Sequence, residues 1–321
     1  MYIVTGGAGF IGSNLVRALN QRGIDDVLIV DDLTSGEKHL NLNALDFLDL
    51  LDWRDVEGGW DELIEDGVEA VFHQGANSDT MERDGALMLR QNYECSKEVL
   101  FACLDSEVPL FYASSASVYG GGDQGFREEL GCEDPLNVYA FSKYQFDRFV
   151  RRVLPEATSQ VVGLRYFNVY GPQEMHKGRM ASVMYHFHNQ IREDGEVRLF
   201  EGSEDFRRDF IHVDDVVALN MWFLENPEVS GIFNAGTGES RTFMDIATTM
   251  QANKQLWDRD IEVKMVPFPE ALVGKYQAFT QADLGQLRAA GYDGTFTSLE
   301  EGVRAYAELL VETGGRLRRE G

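Results

Sequence analysis

The sequence predicts an α/β fold: a doubly wound parallel sheet with a smaller α/β unit assembled from separated segments. Three observations predict it. Short apolar runs recur through the first half of the chain, as strands buried on both faces require. Helical patterns separate those runs. The first run also leads into a glycine turn that opens a helix, and the second run ends in paired acids.

Taken in order, Tyr2-Ile3-Val4 is the first strand. Thr5-Gly6-Gly7-Ala8-Gly9-Phe10-Ile11-Gly12 follows, with a helix that places Ile11, Leu15, Ala18 and Leu19 on one face and stops at Gly23. Val27-Leu28-Ile29-Val30 is the second strand and meets Asp31-Asp32. Strand, glycine turn, helix, strand and acid are the context a dinucleotide needs. Gly7 is read as the tight turn, Gly9 as the point of close approach to a pyrophosphate, and Gly12 as the contact between helix and strand. Free N–H groups at the helix start suit phosphates, and Asp31 is spaced to bond the adenosine ribose. The expectation is a Rossmann-like sheet holding a dinucleotide.

Composition bounds the rest. The chain has 321 residues, 44% hydrophobic and 7 Pro, enough for a large core and one to two domains. No repeat or low-complexity run appears, and no apolar stretch approaches the roughly 20 residues of a membrane span. The N-terminus lacks a basic region and is used as a strand, so a signal peptide is not expected and the location is expected to be cytoplasmic. Cys95, Cys103 and Cys132 are widely spaced, as in reduced cytosolic proteins, and no metal-ligand spacing occurs. A net charge of −25 argues against nucleic acid and anionic membranes as partners. An anionic substrate would need Arg and Lys placed locally.

Residues 34–66 are acidic and mixed, with Lys38 and Arg54 near the place of a ribose 2′-phosphate. Val68 to His73 reads as a strand ending in the turn Gln74-Gly75-Ala76-Asn77-Ser78, at a carboxyl end where open parallel sheets bind ligands. Asn92 to Leu104 reads as a helix, with Asn92 as N-cap or cofactor contact. Leu110 to Ser115 is a strand ending in hydroxyls. Tyr139 and Lys143 open the next helix four residues apart, on one face. An ammonium beside the phenol is expected to lower its pKa, with Ser115 bonding the same substrate oxygen. Val161 to Tyr166 is a further strand. Beyond it the alternation weakens: a helix over 180–191, loop-like stretches at 200–203 and 206–209, a strand at 210–213, a helix over 214–225 and a strand from Ile232. The chain is expected to return to the sheet near residue 211. The expected division is 1–167 plus 211–238 for the dinucleotide and 168–210 plus 239–313 for the substrate, with 314–321 frayed.

With these residues in hand, the chain resembles the extended short-chain dehydrogenase/reductase family. The carriers are TGGAGFIG at 5–12, SSASVYG at 114–120, YxxxK at 139–143, RYFNVYGP at 165–172 and RDFIHVDD at 208–215. Further stretches at 176–182, 200–203, 275–283 and 287–292 resemble, within that family, the epimerases that invert C6 of an ADP-linked heptose used for lipopolysaccharide. The resemblance implies hydride transfer through a keto intermediate on a nicotinamide cofactor, and a homo-oligomer, with a pentamer suggested. It implies Tyr139 and Lys177 as acid–base groups, with Ser115 beside them and Lys143 on the nicotinamide ribose. It implies cofactor contacts at Phe10, Ile11, Asp31, Asp32, Lys38, Gln74 to Ser78, Asn92 and Val169. Substrate contacts are implied at Asn168, Arg179, His186, Phe200, Glu201, Gly202, Ser203, Arg208 and Tyr276. Arg208 has its own rationale, since a guanidinium clamps a diphosphate in bidentate fashion. A structural ion pair of Arg208 with Asp209 or Asp214 is the alternative.

Two departures concern the cofactor. Asp32 stands where the family has Asn, and Trp53 where it has Lys. Paired carboxylates favour NAD, whereas Lys38 favours NADP, the cofactor expected. Rival readings are a UDP-sugar 4-epimerase, a dehydratase, which Ala116 and Ser117 after the active-site Ser disfavour, and a cofactor-sensing binding protein.

Overall fold

The computed structural model describes residues 1–65, 67–268 and 277–319. Its strands are β1 (Tyr2–Thr5), β2 (Val27–Asp31), β3 (Asp49–Asp52), β4 (Ala70–His73), β5 (Leu110–Ser115), β6 (Val161–Tyr166), β7 (Asn168–Tyr170), β8 (Glu196–Phe200), β9 (Arg207–His212), β10 (Gly231–Ala235), β11 (Ser240–Thr242) and β12 (Glu262–Val266). Seven form one sheet in the order β10-β6-β5-β4-β1-β2-β3, with every pair parallel. The order reverses between β1 and β4, which is the switch point where such sheets bind ligands.

Helices cover both faces, so β2 and β6 are buried at every residue. On one face, Leu15 and Leu19 of helix Phe10–Gln21 and Val216 and Leu219 of helix Val213–Glu225 pack with Val4, Phe111 and Leu164. On the other, Val99 and Cys103 of helix Cys95–Asp105 and Phe146 and Val150 of helix Val138–Val153 pack with Ile3, Val71 and Leu110. Each such large apolar side chain contributes about 1.5–3 kcal/mol when fully buried. A third core lies apart from these. It joins Phe187, Ile191, Val197, Leu199, Ile246, Met250, Val303 and Tyr306 around the parallel pair β8–β12.

The structure departs from the sequence reading where local pattern is overridden by pairing. Residues 34–66 supply β3, which pairs only with β2 at the sheet edge and so needs no continuous apolar run. Asn92 is not at a helix start. It lies inside a helical run that begins at Gly85, is capped by Asp84, and passes through a π-helical turn at Arg90–Glu94. The stretch expected to be loop before residue 210 is part of β9: β11 pairs the backbone of residues 207–209, and β7 pairs that of residues 210–212. For the same reason β9 does not re-enter the large sheet near residue 211; it belongs to a three-stranded sheet, and the return comes at β10 beside β6. The glycines after residue 313 suggest fraying, but Gly314 is the left-handed C-cap of helix Leu299–Thr313. Gln173 then receives Leu317 N on Oε1 at 3.2 Å, and Arg319 pairs with Asp46 at 2.7 Å. No helix among the described residues is long and apolar enough to cross a membrane.

Candidate active site

A cavity of about 1230 Å³ is lined by residues at the carboxyl ends of β1, β4, β5 and β6. Sites for one small ligand run to ~300–1,000 Å³, so this one has room for a dinucleotide and a second molecule.

One end is the glycine turn. The positive φ, +66°, falls on Gly6, not on Gly7 as the fingerprint reading expects. A Cβ on Gly6 would lie 2.7 Å from Gly75 N, and one on Gly12 would lie 2.2 Å from Gly6 O. Glycine is therefore demanded twice, by the approach of the Gln74–Ser78 turn and by helix packing. Helix Phe10–Gln21 starts from Gly9 with no side-chain cap, so its first N–H groups stay open to an anion. At the end of β2, Asp31 accepts from Ala8 N at 2.8 Å and pairs with the Lys38 ammonium. This cradle of bare backbone, open helix end and ribose-distance carboxylate fits an adenine dinucleotide. Asp32 lies outside the cavity wall and accepts from Thr34 N and Trp53 Nε1.

The Gln74–Ser78 turn lines the cavity and is braced from behind. Asn92, 1% exposed and outside the wall, accepts from Asn77 N at 2.7 Å and donates to Asn77 O at 2.9 Å and Ser142 Oγ at 3.1 Å. Below it, Gly75 N donates to Thr5 Oγ1, whose hydroxyl meets His73 Nδ1 at 2.8 Å. Burial pushes the His73 pKa down to about 3, with the nearby Lys143 charge adding to the effect, so the ring is neutral.

Ser115 ends β5, and Tyr139 and Lys143 stand in the first turns of helix Val138–Val153, which Asn137 caps. All three line the cavity. The expected lowering of the Tyr139 pKa is not found. Burial pushes it up, a hydrogen bond with Ser115 opposing, and the Lys143 ammonium is committed to Ala113 O at 2.8 Å. Tyr139 is therefore a phenol at neutral pH. Lys143 is 4% exposed, and burial pushes its pKa down to about 8, with Asp147 opposing. A lysine lowered on folding binds its proton more tightly in the unfolded chain. Stability therefore rises with pH between about 8 and 10.5. Urea melts of the wild type and Lys143→Met across that window test this: the variant should lose a rise of about 1.4 kcal/mol per pH unit.

Lys177 enters from the 3₁₀ segment Met175–Met180, its Nζ 4.8 Å from the centre of the Phe10 ring. Burial lowers its pKa, with Glu174 opposing. Glu174 closes the loop by accepting from Ser182 N at 2.5 Å and Ser182 Oγ at 2.6 Å. Asn41 fixes its near end, donating to Ala8 O and Gln173 O. Tyr139 and Lys177 thus reach one cavity from opposite faces of the sheet, the first on the helix that carries Phe146, the second over the start of the helix that carries Leu15.

The remaining wall holds Asn168, Val169, Arg179, His186, Phe200, Ser203 and Arg208. Arg208 is 5% exposed, and neither ion pair offered as its alternative forms. Asp209 instead accepts from Thr237 N, Thr237 Oγ1, Gly238 N and Ala282 N at 2.7–3.0 Å, and Asp214 pairs with Arg17. Glu201 and Gly202 are exposed beside the wall, and Tyr276 lies outside the described residues. Sequence reasoning missed Asp79, His176, Arg198 and Phe243, which also line the cavity. Arg179 donates to Asp79 at 2.6 Å across 100 residues of sequence, which no local motif announces. The wall carries Lys38, Lys143, Lys177, Arg179, Arg198 and Arg208 against the carboxylates Asp31 and Asp79. A chain of charge −25 therefore concentrates cations where an anionic substrate would need them.

A parallel sheet with a glycine turn at its switch point and a Ser-Tyr-Lys set lining the same cavity defines a nicotinamide-type short-chain dehydrogenase/reductase fold. Within that class, the chain belongs to the NAD dependent epimerase/dehydratase family, whose model matches residues 2–236. It is 56% identical, over 99% of its length and 100% of the relative's, to the ADP-L-glycero-D-manno-heptose-6-epimerase of Brachyspira hyodysenteriae. Among solved structures it is similar to the Helicobacter pylori ADP-L-glycero-D-manno-heptose-6-epimerase, at 30% identity and a TM-score of 0.79, covering 95% of this chain and 94% of that one. It is also similar to the Thermus thermophilus UDP-glucose 4-epimerase in complex with NAD, at 28% identity and a TM-score of 0.77, covering 97% and 99%.

Proposed function

We propose that the protein is an isomerase that interconverts ADP-D-glycero-D-manno-heptose and ADP-L-glycero-D-manno-heptose by inverting C6. The observation that carries the reading is full-length similarity, at 56% identity, to a heptose 6-epimerase. The site's chemistry supports it. A bound nicotinamide dinucleotide would supply a hydride acceptor and donor, so that C6 passes through a ketone without net redox. Inversion needs the sugar handled from two sides, and Tyr139 and Lys177 come from opposite faces of the sheet. Tyr139 holds a proton on its phenolic oxygen for the C6 oxygen, with Ser115 bonding the same atom. Lys177, its pKa lowered by burial, takes or returns a proton at the other approach. Arg208, Arg198 and Arg179 line the cavity, and a guanidinium can clamp the diphosphate in bidentate fashion.

The choice of dinucleotide turns on local charge. Lys38 carries the NADP expectation, but its ammonium is paired with Asp31, and Arg54 is held by Asp52 at 2.5 Å. Asp32 adds a second carboxylate nearby, held by Thr34 N and Trp53 Nε1. This balance supports NAD over NADP. Residues 168–210 and 239–313 are read as the substrate side, and the working unit as a cytoplasmic homo-oligomer.

The experiment mixes purified protein, without added cofactor, with ADP-D-glycero-D-manno-heptose and follows the C6 epimer ratio by proton NMR. Conversion is expected, and acid release of the nucleotide should yield mainly NAD. No conversion, with NAD or NADP supplied, would overturn the substrate assignment and leave the family intact.

A further inference from the structure

Behind the cavity wall runs a chain of hydrogen bonds whose direction elementary chemistry fixes. Asn220 Nδ2 donates to Val216 O at 2.8 Å and to Tyr166 OH at 3.2 Å. The Tyr166 hydroxyl lies 3.0 Å from Gln74 Oε1. A backbone carbonyl only accepts, so the atom of Asn220 facing Val216 is its NH₂. That NH₂ only donates, so the Tyr166 oxygen accepts from it and keeps its one hydrogen for Gln74. An O–H donor demands the carbonyl oxygen of Gln74, which turns the Gln74 NH₂ away. Burial pushes the Tyr166 pKa up to about 12, which keeps that hydrogen in place.

The Gln74 Nε2 left over is buried and has no hydrogen-bond partner among the described residues. Gln74 and Tyr166 both line the cavity. Tyr166 ends β6 and Gln74 follows β4, so their bond crosses the end of β5, the strand that carries Ser115. Tyr166 packs in the core beneath helix Phe10–Gln21, and the Gln74 backbone abuts Gly6 of the glycine turn. Gln74 therefore stands between the glycine turn and the Ser115 end of the site.

We infer that Asn220 and Tyr166 are positioning residues that lock Gln74 Nε2 as a donor to an acceptor oxygen of the bound dinucleotide. The inference rests on the reading of this cavity as a nicotinamide dinucleotide site. A free carboxamide would offer either end to the ligand; this one has its oxygen engaged by Tyr166 and its donor unspent before the ligand arrives.

The test is a double-mutant cycle on binding. Charcoal-stripped wild type, Gln74→Leu, Tyr166→Phe and the double variant are titrated calorimetrically with NAD, each after a thermal melt confirms folding. Gln74→Leu should weaken NAD by about three- to tenfold, the range of one hydrogen bond. Tyr166→Phe should weaken it in the wild type and do nothing further in Gln74→Leu. Titration with ADP-ribose locates the acceptor: a shared penalty places it on the diphosphate half, and a penalty confined to NAD places it on the nicotinamide half. Equal Tyr166→Phe losses in both backgrounds, or no loss in Gln74→Leu, overturn the relay. Wild type that binds no dinucleotide would instead overturn the reading of the site.

Discussion

Tyr139→Phe lowers the epimerisation rate by about 10²–10⁴-fold, the usual contribution of one positioned acid–base group. The reason is local. The phenol is lodged at the start of helix Val138–Val153, beside Ser115, in a setting that holds its proton. Phenylalanine keeps the ring and its packing and removes only the group that can protonate the C6 oxygen. The stability cost is small, because the hydroxyl has no core role comparable with Tyr112 OH, which is buried against Asp147. Dinucleotide affinity should stay near wild type, since the glycine turn and Lys143 are untouched. NMR epimerisation rates with and without the substitution, alongside a thermal melt, check this. A rate within threefold of wild type at unchanged stability would remove Tyr139 from the chemistry.

The parts of the site that were legible in the sequence are those specified by neighbours in the chain. TGGAGFIG marks its own turn because backbone approach forbids side chains there, as at Gly12. Tyr139 and Lys143 are readable because a helix turn puts them together. The Ser115 strand end is readable because buried parallel strands are continuous apolar runs. What was not legible depends on distant partners. Lys143 was expected to act on Tyr139, but a strand carbonyl 30 residues away, Ala113 O, takes its ammonium. Asn92 reads as a cap, yet its side chain is spent on Asn77 and Ser142, 15 and 50 residues off. Edge strand β3 and the strand start at Arg207 are set by pairing, not by their own pattern. The cationic wall is invisible in a composition of −25, because its six cations come from five separate stretches of chain.

Lys177→Met is the more discriminating prediction, because from sequence alone Lys177 is one loop lysine among others. The structure places its ammonium in the cavity wall, over an aromatic face and partly desolvated. Desolvation disfavours the charged form, so this lysine gives up its proton more readily than an exposed one. The aromatic face compensates in part, since a cation over a ring gains about 0.5–2 kcal/mol, and it holds the side chain in place. Methionine fills a similar volume and cannot carry a proton. Epimerisation is expected to fall by about 10²–10⁴-fold with the fold intact. If Tyr139 and Lys177 each serve one epimer, the loss is one-sided at the first half-reaction. One ADP-heptose epimer should still raise the reduced-nicotinamide absorbance on mixing with the Lys177→Met protein once the pH is high enough for Tyr139 to lose its phenolic proton and take the carbinol proton, and the other should not. The Tyr139→Phe protein should show the opposite preference. Near-normal epimerisation by Lys177→Met would leave a single acid–base group, with the sugar turning over in front of Tyr139 alone.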